Sequence, residues 1–401
     1  MTAGDDSALN VRGNVRKLYA YWFFHSLIFA YVIENLFGLA RGLTIQEMVY
    51  LEIIYAVVIL LLEVPTGVIA DRWSRKYMMV LSSIFIFFEF FVLIFAFNFW
   101  VFALSALCAA IGGALASGTS NAIFYDSLKT VGEEKNYEKV LGRNHLFDYT
   151  AGGIAALLGG LIAAKWGLAA PYWFSLIGTS LAFFITLTLH EPKNKTSTHE
   201  SGFWRHIREA TTFLRERKTL QFVILYGVMI AATWDYVDEY WQIYLQEISI
   251  PVALFGVYSV IAGMLHSVGG VFAHRLKNKF SYNSVFLTLL LVSAAAILAA
   301  SVIGEWYGAA ILLLGNITFG VSVPLVSGYL HHRVSSSHRA TVDSLQSLLL
   351  RLAVIAVGLA FGYVSTRYSI FTGFGLLGSI LLVYAAYYSL FQHRLRENVL
   401  G

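Results

Sequence analysis

Apolar residues run along this chain in long blocks, interrupted by small groups of charges, and the blocks are too long for buried strands or ordinary core helices. A helix rises about 1.5 Å per residue, so crossing a hydrocarbon core of roughly 30 Å takes about 20 mostly apolar residues. Twelve blocks meet that length. They predict helical spans over residues 17–38, 44–70, 77–97, 99–125, 144–165 and 170–190, then over 219–246, 251–274, 282–303, 307–331, 340–365 and 369–392. Only Asn98 separates the third from the fourth.

The longest polar stretch divides these spans six and six. The predicted organisation is a tail over 1–16, a six-helix bundle over 17–190, a connection over 191–218, a second bundle over 219–392 and a tail over 393–401. Within the connection, Phe203 to Arg215 sets apolar residues at helical spacing against a basic face, the pattern of a helix lying on the membrane surface. Two halves joined this way read as an internal duplication.

Composition strengthens this picture. Hydrophobic residues make up 58% of the 401 and charged residues 13%, against about 25% charged in soluble domains. The 33 glycines suit close helix contact in lipid. Lysine and arginine then set the orientation: 24 of the 28 fall on the side that holds both termini, which predicts cytoplasmic termini. That asymmetry also accounts for the net charge of +4, so no nucleic-acid partner is expected. Cys108 is the only cysteine, which excludes an internal disulfide framework and a thiolate metal cluster. Residues 1–16 lack the apolar core of a cleaved signal, so the first block is expected to be a retained helix.

The sharpest motif lies between the second and third spans: Gly67-Val68-Ile69-Ala70-Asp71-Arg72-Trp73-Ser74-Arg75-Lys76. A weaker copy, Gly270-Val271-Phe272-Ala273-His274-Arg275-Leu276-Lys277, stands at the same point of the second half. The first stretch resembles the loop signature of the major facilitator superfamily, matching at Gly67, Asp71, Arg72, Arg75 and Lys76, with Ser74 in place of the usual second glycine. Leu62 to Gly67, Phe124 to Leu128 and Arg339 to Ser347 extend the resemblance to a bacterial, drug-efflux-like branch. It implies an all-α membrane protein with twelve transmembrane helices in two pseudo-symmetric six-helix bundles. It also implies a gating role for Gly67, Asp71, Arg72, Arg75, Lys76 and Asp126, and residence in a bacterial inner membrane. The glycine pairs Gly152-Gly153 and Gly159-Gly160 carry two readings: close packing, or the glycine-rich fifth helix of superfamily antiporters.

Ionisable residues inside spans are expensive and therefore candidates for function. Glu34 and Asp235 occupy similar depths in the first and seventh spans, which in the superfamily line a central cavity, so both are expected to face it. Asp235, Asp238 and Glu239 share one helical face, where three carboxyls cannot all ionise cheaply. Asp238 and Glu239 also fit a wet interface. Arg351 needs a counter-charge, for which Asp235, Glu34 and Glu89 are candidates. His25 and His266 fit either proton exchange or packing. Tyr31, Asn35 and Trp234 complete the expected substrate- and proton-binding set, with Tyr31 suited to stacking on a cation.

No phosphate-binding loop ending Gly-Lys-Ser/Thr is present, which excludes ATP as the direct energy source. The expectation is a monomeric secondary transporter without cofactor or metal, exporting small amphiphilic or cationic compounds in exchange for protons. The alternative within this class is proton-coupled uptake of a polar metabolite or metal chelate. A membrane enzyme would rest on a metal site built from His331, His332, His338 and Asp343.

Overall fold

The protein is described by a computed structural model over residues 13–72, 74–117, 119–191 and 217–391. Among these residues the regular structure is entirely helical. The helices are α1 Asn14–His25, α2 Glu34–Ala40, α3 Ile45–Arg72, α4 Arg75–Ile94, α5 Phe99–Ala116, α6 Thr119–Thr130, α7 Tyr137–Trp166 and α8 Ala170–Thr188. Then follow α9 Lys218–Glu247, α10 Phe255–Lys279, α11 Tyr282–Ile303, α12 Trp306–Arg333, α13 Ser336–Arg367 and α14 Ile370–Phe391. The amphipathic segment expected at 203–215 lies outside the described residues.

Two compact units form. The first contains Met1–Leu43, Tyr50–His199 and Pro251–Val257, and the second Thr44–Val49, Glu200–Ile250 and Tyr258–Gly401. In unit 1, Gly160 meets the Val252 carbonyl and Gly256 lies against Ala156, so the start of α10 packs on α7 through glycine. In unit 2 the Gln46 amide donates to Thr366 Oγ1 at 2.8 Å, fixing the start of α3 on α13.

Local chemistry explains where several helices begin and end. Asn98 caps α5 by accepting from the amides of Trp100 and Val101, which is how one residue separates two spans. Ser281 caps α11 at its start, and Gly304 ends it in a left-handed conformation. Trp100, Val302 and Val383 are 77%, 84% and 72% exposed, and apolar residues so bare belong in lipid. Among the described residues eleven helices are long and apolar enough to cross a membrane.

The first span departs from the continuous helix expected over 17–38. It breaks after His25 and resumes through a 3₁₀ turn at Tyr31–Ile33 into α2. The break lies roughly 18 Å from the start of α1, near the middle of a bilayer. Neither proline nor glycine causes it. Neighbouring helices accommodate it, and one of them satisfies a backbone amide that a continuous helix would satisfy itself. Ser175 Oγ accepts the Ala30 amide at 3.2 Å, and Ser26 donates to Asp148. Gly178 admits the carbonyls of Phe24 and Leu27, and Gly159 that of Phe29. The fourth span is interrupted as well, α5 ending at Ala116 and α6 starting at Thr119.

Gly159 and Gly160 therefore pack against backbone, whereas Gly152 and Gly153 face open space. Replacing Gly159 by Ala should lower stability by about 1–3 kcal/mol through overpacking. Gly152→Ala should be neutral or slightly stabilising, because helical glycine costs about 1 kcal/mol relative to alanine. Thermal unfolding of the detergent-solubilised variants checks the contrast.

Candidate gating and ion-binding sites

The end of unit 1 that carries the start of α1 and the start of α4 holds a dense polar cluster. Arg75, the first residue of α4, forms an ion pair with Asp126 of α6, and both side chains are buried. Ser74 has an extended backbone and caps α4 by accepting from the Tyr77 amide. No left-handed glycine is needed there, so the serine fits. Glu191 completes the cap: its carboxylate accepts from Ser74 Oγ at 2.5 Å, the Arg75 amide at 3.0 Å and the Lys76 amide at 2.9 Å. A carboxylate at a helix N-terminus is favoured by the helix dipole and by unpaired amides. Asn14 ties the same end together, bonding Ser127 Oγ and both backbone groups of His190. The side chains of Gly67, Asp71 and Arg72 lie outside those described.

Glu191 was not among the residues the sequence singled out. Its signal was a lone carboxylate directly after the sixth span, at an otherwise basic membrane edge.

Toward the opposite end of unit 1, Glu34 opens α2 and is part-exposed, while Asn35 beside it is buried. Glu34, Glu89 of α4 and Tyr172 of α8 lie within electrostatic range of one another. Tyr31 is 53% exposed and meets the ring of Phe90 at 5.8 Å. His25 lies apart from this group. It stacks on Tyr21 at 5.3 Å and neighbours Asp148, beside the break.

In unit 2, α9 is the most enclosed span, with 72% of its apolar window buried. Its open stripe carries Asp235 and Asp238, both exposed and near each other, with Glu239 part-exposed beside them. Tyr258 of α10 neighbours Asp238 and stacks on Trp241 at 4.9 Å. Trp234 is enclosed instead. It is fully buried, donates to Ser293 Oγ at 3.3 Å and stacks on Phe319, which also meets His266 edge-on at 5.1 Å. Trp234 thus sits in the packed interior of the unit, against α11 and α12. Arg351 is part-exposed, and among the described residues of unit 2 no ion pair joins it to Asp235.

The proposed metal cluster does not assemble. His331 pairs with Asp343 at 3.0 Å, His338 bonds Ser335 Oγ at 2.9 Å, and no group of three ligating side chains gathers among the described residues.

Comparison with known proteins decides the family. The Major Facilitator Superfamily pattern matches residues 19–358. The chain belongs to that superfamily. Among relatives, an uncharacterised transporter of this type from Bacillus subtilis, YxaM, is 22% identical over 352 residues, covering 84% of this chain and 85% of its own. The multidrug resistance protein MdtG of Citrobacter koseri is 22% identical over 342 residues, covering 83% and 82%. In fold, a point variant of the nucleoside transporter NupG superposes with a TM-score of 0.74 at 14% identity, over 96% of this chain and 99% of that one. The protein is therefore a multi-pass membrane transporter of the major facilitator type and not an enzyme.

Within this superfamily fold the buried Arg75–Asp126 pair gives a direct test. Asp126→Asn strands a buried guanidinium and should cost about 3–5 kcal/mol. The double replacement Arg75→Met with Asp126→Leu should recover most of that loss. Melting temperatures of the parent, Arg75→Met, Asp126→Leu and the double variant, compared as a double-mutant cycle, measure the coupling.

Proposed function

We propose that this transporter works by alternating access and exports small amphiphilic or cationic compounds in exchange for protons. The observation that carries this reading is the open stripe of α9, where Asp235 and Asp238 stand exposed on an otherwise enclosed helix. Carboxylates at membrane depth are costly unless they meet water, a cation or a proton, and they mark ion or substrate paths. An exchanger of cations for protons needs such groups, because the same carboxylate can hold either. Tyr31, exposed beside Glu34, offers a π face to a lipophilic cation. Similarity to MdtG, named as a multidrug resistance protein, supports export.

Glu34, Asp235, Asp238 and Glu239 form the proton- and substrate-binding set of this proposal, with Asn35, His25, His266 and Arg351 as polar surroundings. Arg75, Lys76, Asp126, Gly67, Asp71 and Arg72 serve gating. Both termini face the cytoplasm of a bacterial cell in this reading, which the distribution of lysine and arginine supports.

Proteoliposomes with an imposed pH gradient test the proposal. Lipophilic cations loaded on the proton-poor side should move against the proton flux in the parent. Glu34→Gln and Asp235→Asn should each reduce that exchange at least tenfold while leaving the protein folded. Transport of both variants at the parental rate would remove the site assignment. Solute accumulating in the direction of the protons would replace export by uptake.

A further inference from the structure

We infer that three aromatic side chains of α9, Trp234, Tyr236 and Tyr244, are positioning residues. Seated in glycine notches of neighbouring helices, they fix how α9 is rolled about its axis and so turn Asp235 and Asp238 to the open stripe. A role for those carboxylates in transport rests on the reading above, but the setting of the helix stands on its own contacts.

Each aromatic has both a notch and a hydrogen bond. Tyr236 is 1% exposed, and its hydroxyl donates to the Val354 carbonyl of α13 at 2.9 Å. A Cβ on Gly358 would fall on that hydroxyl. Val354 stands one turn before Gly358, so the missing side chain uncovers a carbonyl whose second lone pair is free of its own helix. Trp234, on the other flank of Asp235, lies against Gly315 of α12, where a Cβ would come within 2.7 Å of the indole. Its Nε1 donates to Ser293 Oγ of α11 at 3.3 Å, and Ser293 is bonded in turn to Thr318 Oγ1 of α12 at 2.6 Å. Tyr244 is seated at Gly308 of α12 and donates to the Ala300 carbonyl of α11 at 2.9 Å.

Helix geometry carries these three seats over to the acids. Successive residues are about 100° apart around a helix, so Asp235 lies about 100° from both Trp234 and Tyr236. Tyr244, nine positions on, points about 180° from Asp235. With Trp234 and Tyr244 held by α11 and α12, and Tyr236 held by α13, the side left over carries Asp235 and Asp238, both exposed.

Rolling α9 to enclose Asp235 would withdraw at least one aromatic from its notch and break a buried hydrogen bond. Ring packing resists the same motion. Trp234 lies within 5° of parallel to Phe319 of α12, and Tyr244 within 10° of parallel to Phe374 of α14. Tyr236 meets Phe361 of α13 at 5.3 Å. Trp234 and Tyr236 therefore act on the site through the residue between them, and not by touching a solute.

Cysteine accessibility in lipid nanodiscs tests the inference without any transport substrate. In a Cys108→Ser background, Asp235→Cys and Asp238→Cys are each labelled with a charged methanethiosulfonate, and the two rates are compared by mass spectrometry. Positions 235 and 238 lie about 60° apart on the helix, so a roll carries one toward the middle of the stripe and the other toward its edge. Gly358→Ala and Gly315→Ala should therefore move the two rates in opposite directions, changing their ratio by about threefold or more. Gly328→Ala adds a methyl group to α12 in open space and should leave the ratio at its parental value. If an alanine variant fails to fold, Tyr236→Phe and Trp234→Phe remove a hydrogen bond without adding volume and should shift the ratio as well. Equal rises at both positions would show general loosening and overturn the inference. So would a parental ratio in folded Gly358→Ala and Gly315→Ala. A shifted ratio with unchanged proton-driven exchange of tetraphenylphosphonium would uphold the positioning and count against the proposed function alone.

Discussion

A backbone amide or carbonyl inside a bilayer has no water to bond, so each must find its partner within the protein. Most of this chain meets that demand by staying helical. The break in the first span does not, and its neighbours are arranged around the exception. Ser175 takes the Ala30 amide, Asp148 takes the Ser26 hydroxyl, and Gly159 and Gly178 withdraw their side chains so that three carbonyls can approach. The break in turn makes Glu34 the first residue of α2. Small residues on α7 and α8 therefore help determine where charge can stand in unit 1.

A different balance holds at the polar end of the same unit. A buried ion pair such as Arg75–Asp126 contributes little net stability, because desolvation offsets its attraction, but breaking it is costly. Its value is in registering α4 against α6. Glu191 adds a second registration by closing the N-terminus of α4 from the end of α8. The decayed copy of the motif is held differently. Among the described residues His274 bonds Asn278, one turn along its own helix, and Arg275 rests over Phe272 of the same helix. Lys277 lies over the ring of Tyr282 at the start of α11, so a cation–π contact stands where the first half has a buried ion pair.

The spans were legible in the sequence because their length and apolarity follow directly from the thickness of the bilayer. Asn98 also marked its boundary, since capping chemistry is local, and the bounds expected at 282 and 303 coincide with the caps at Ser281 and Gly304. The break at Ser26–Ala30 carried no such mark. Its partners lie more than a hundred residues away, and nothing in Ser-Leu-Ile-Phe-Ala disfavours a helix. The same limit explains the site. Depth along a span identified Glu34, Asp235 and Asp238 as costly charges, but depth says nothing about azimuth. Trp234, adjacent to Asp235 in sequence, consequently packs into the interior against Phe319 and Ser293, while the carboxylate occupies the open stripe.

The two units place their acids on differently built supports. Asp235 and Asp238 sit one turn apart on a continuous helix, so their separation is set by helix geometry and changes little when the helix moves as a body. Glu34 and Glu89 belong to different helices, one of them interrupted, so their separation depends on tertiary packing. Repulsion between like charges falls with distance, and only the second pair can convert a backbone movement into a large change in that repulsion. Duplicated bundles need not divide their chemistry equally. Here helix geometry fixes the spacing of the first pair, and tertiary packing fixes that of the second.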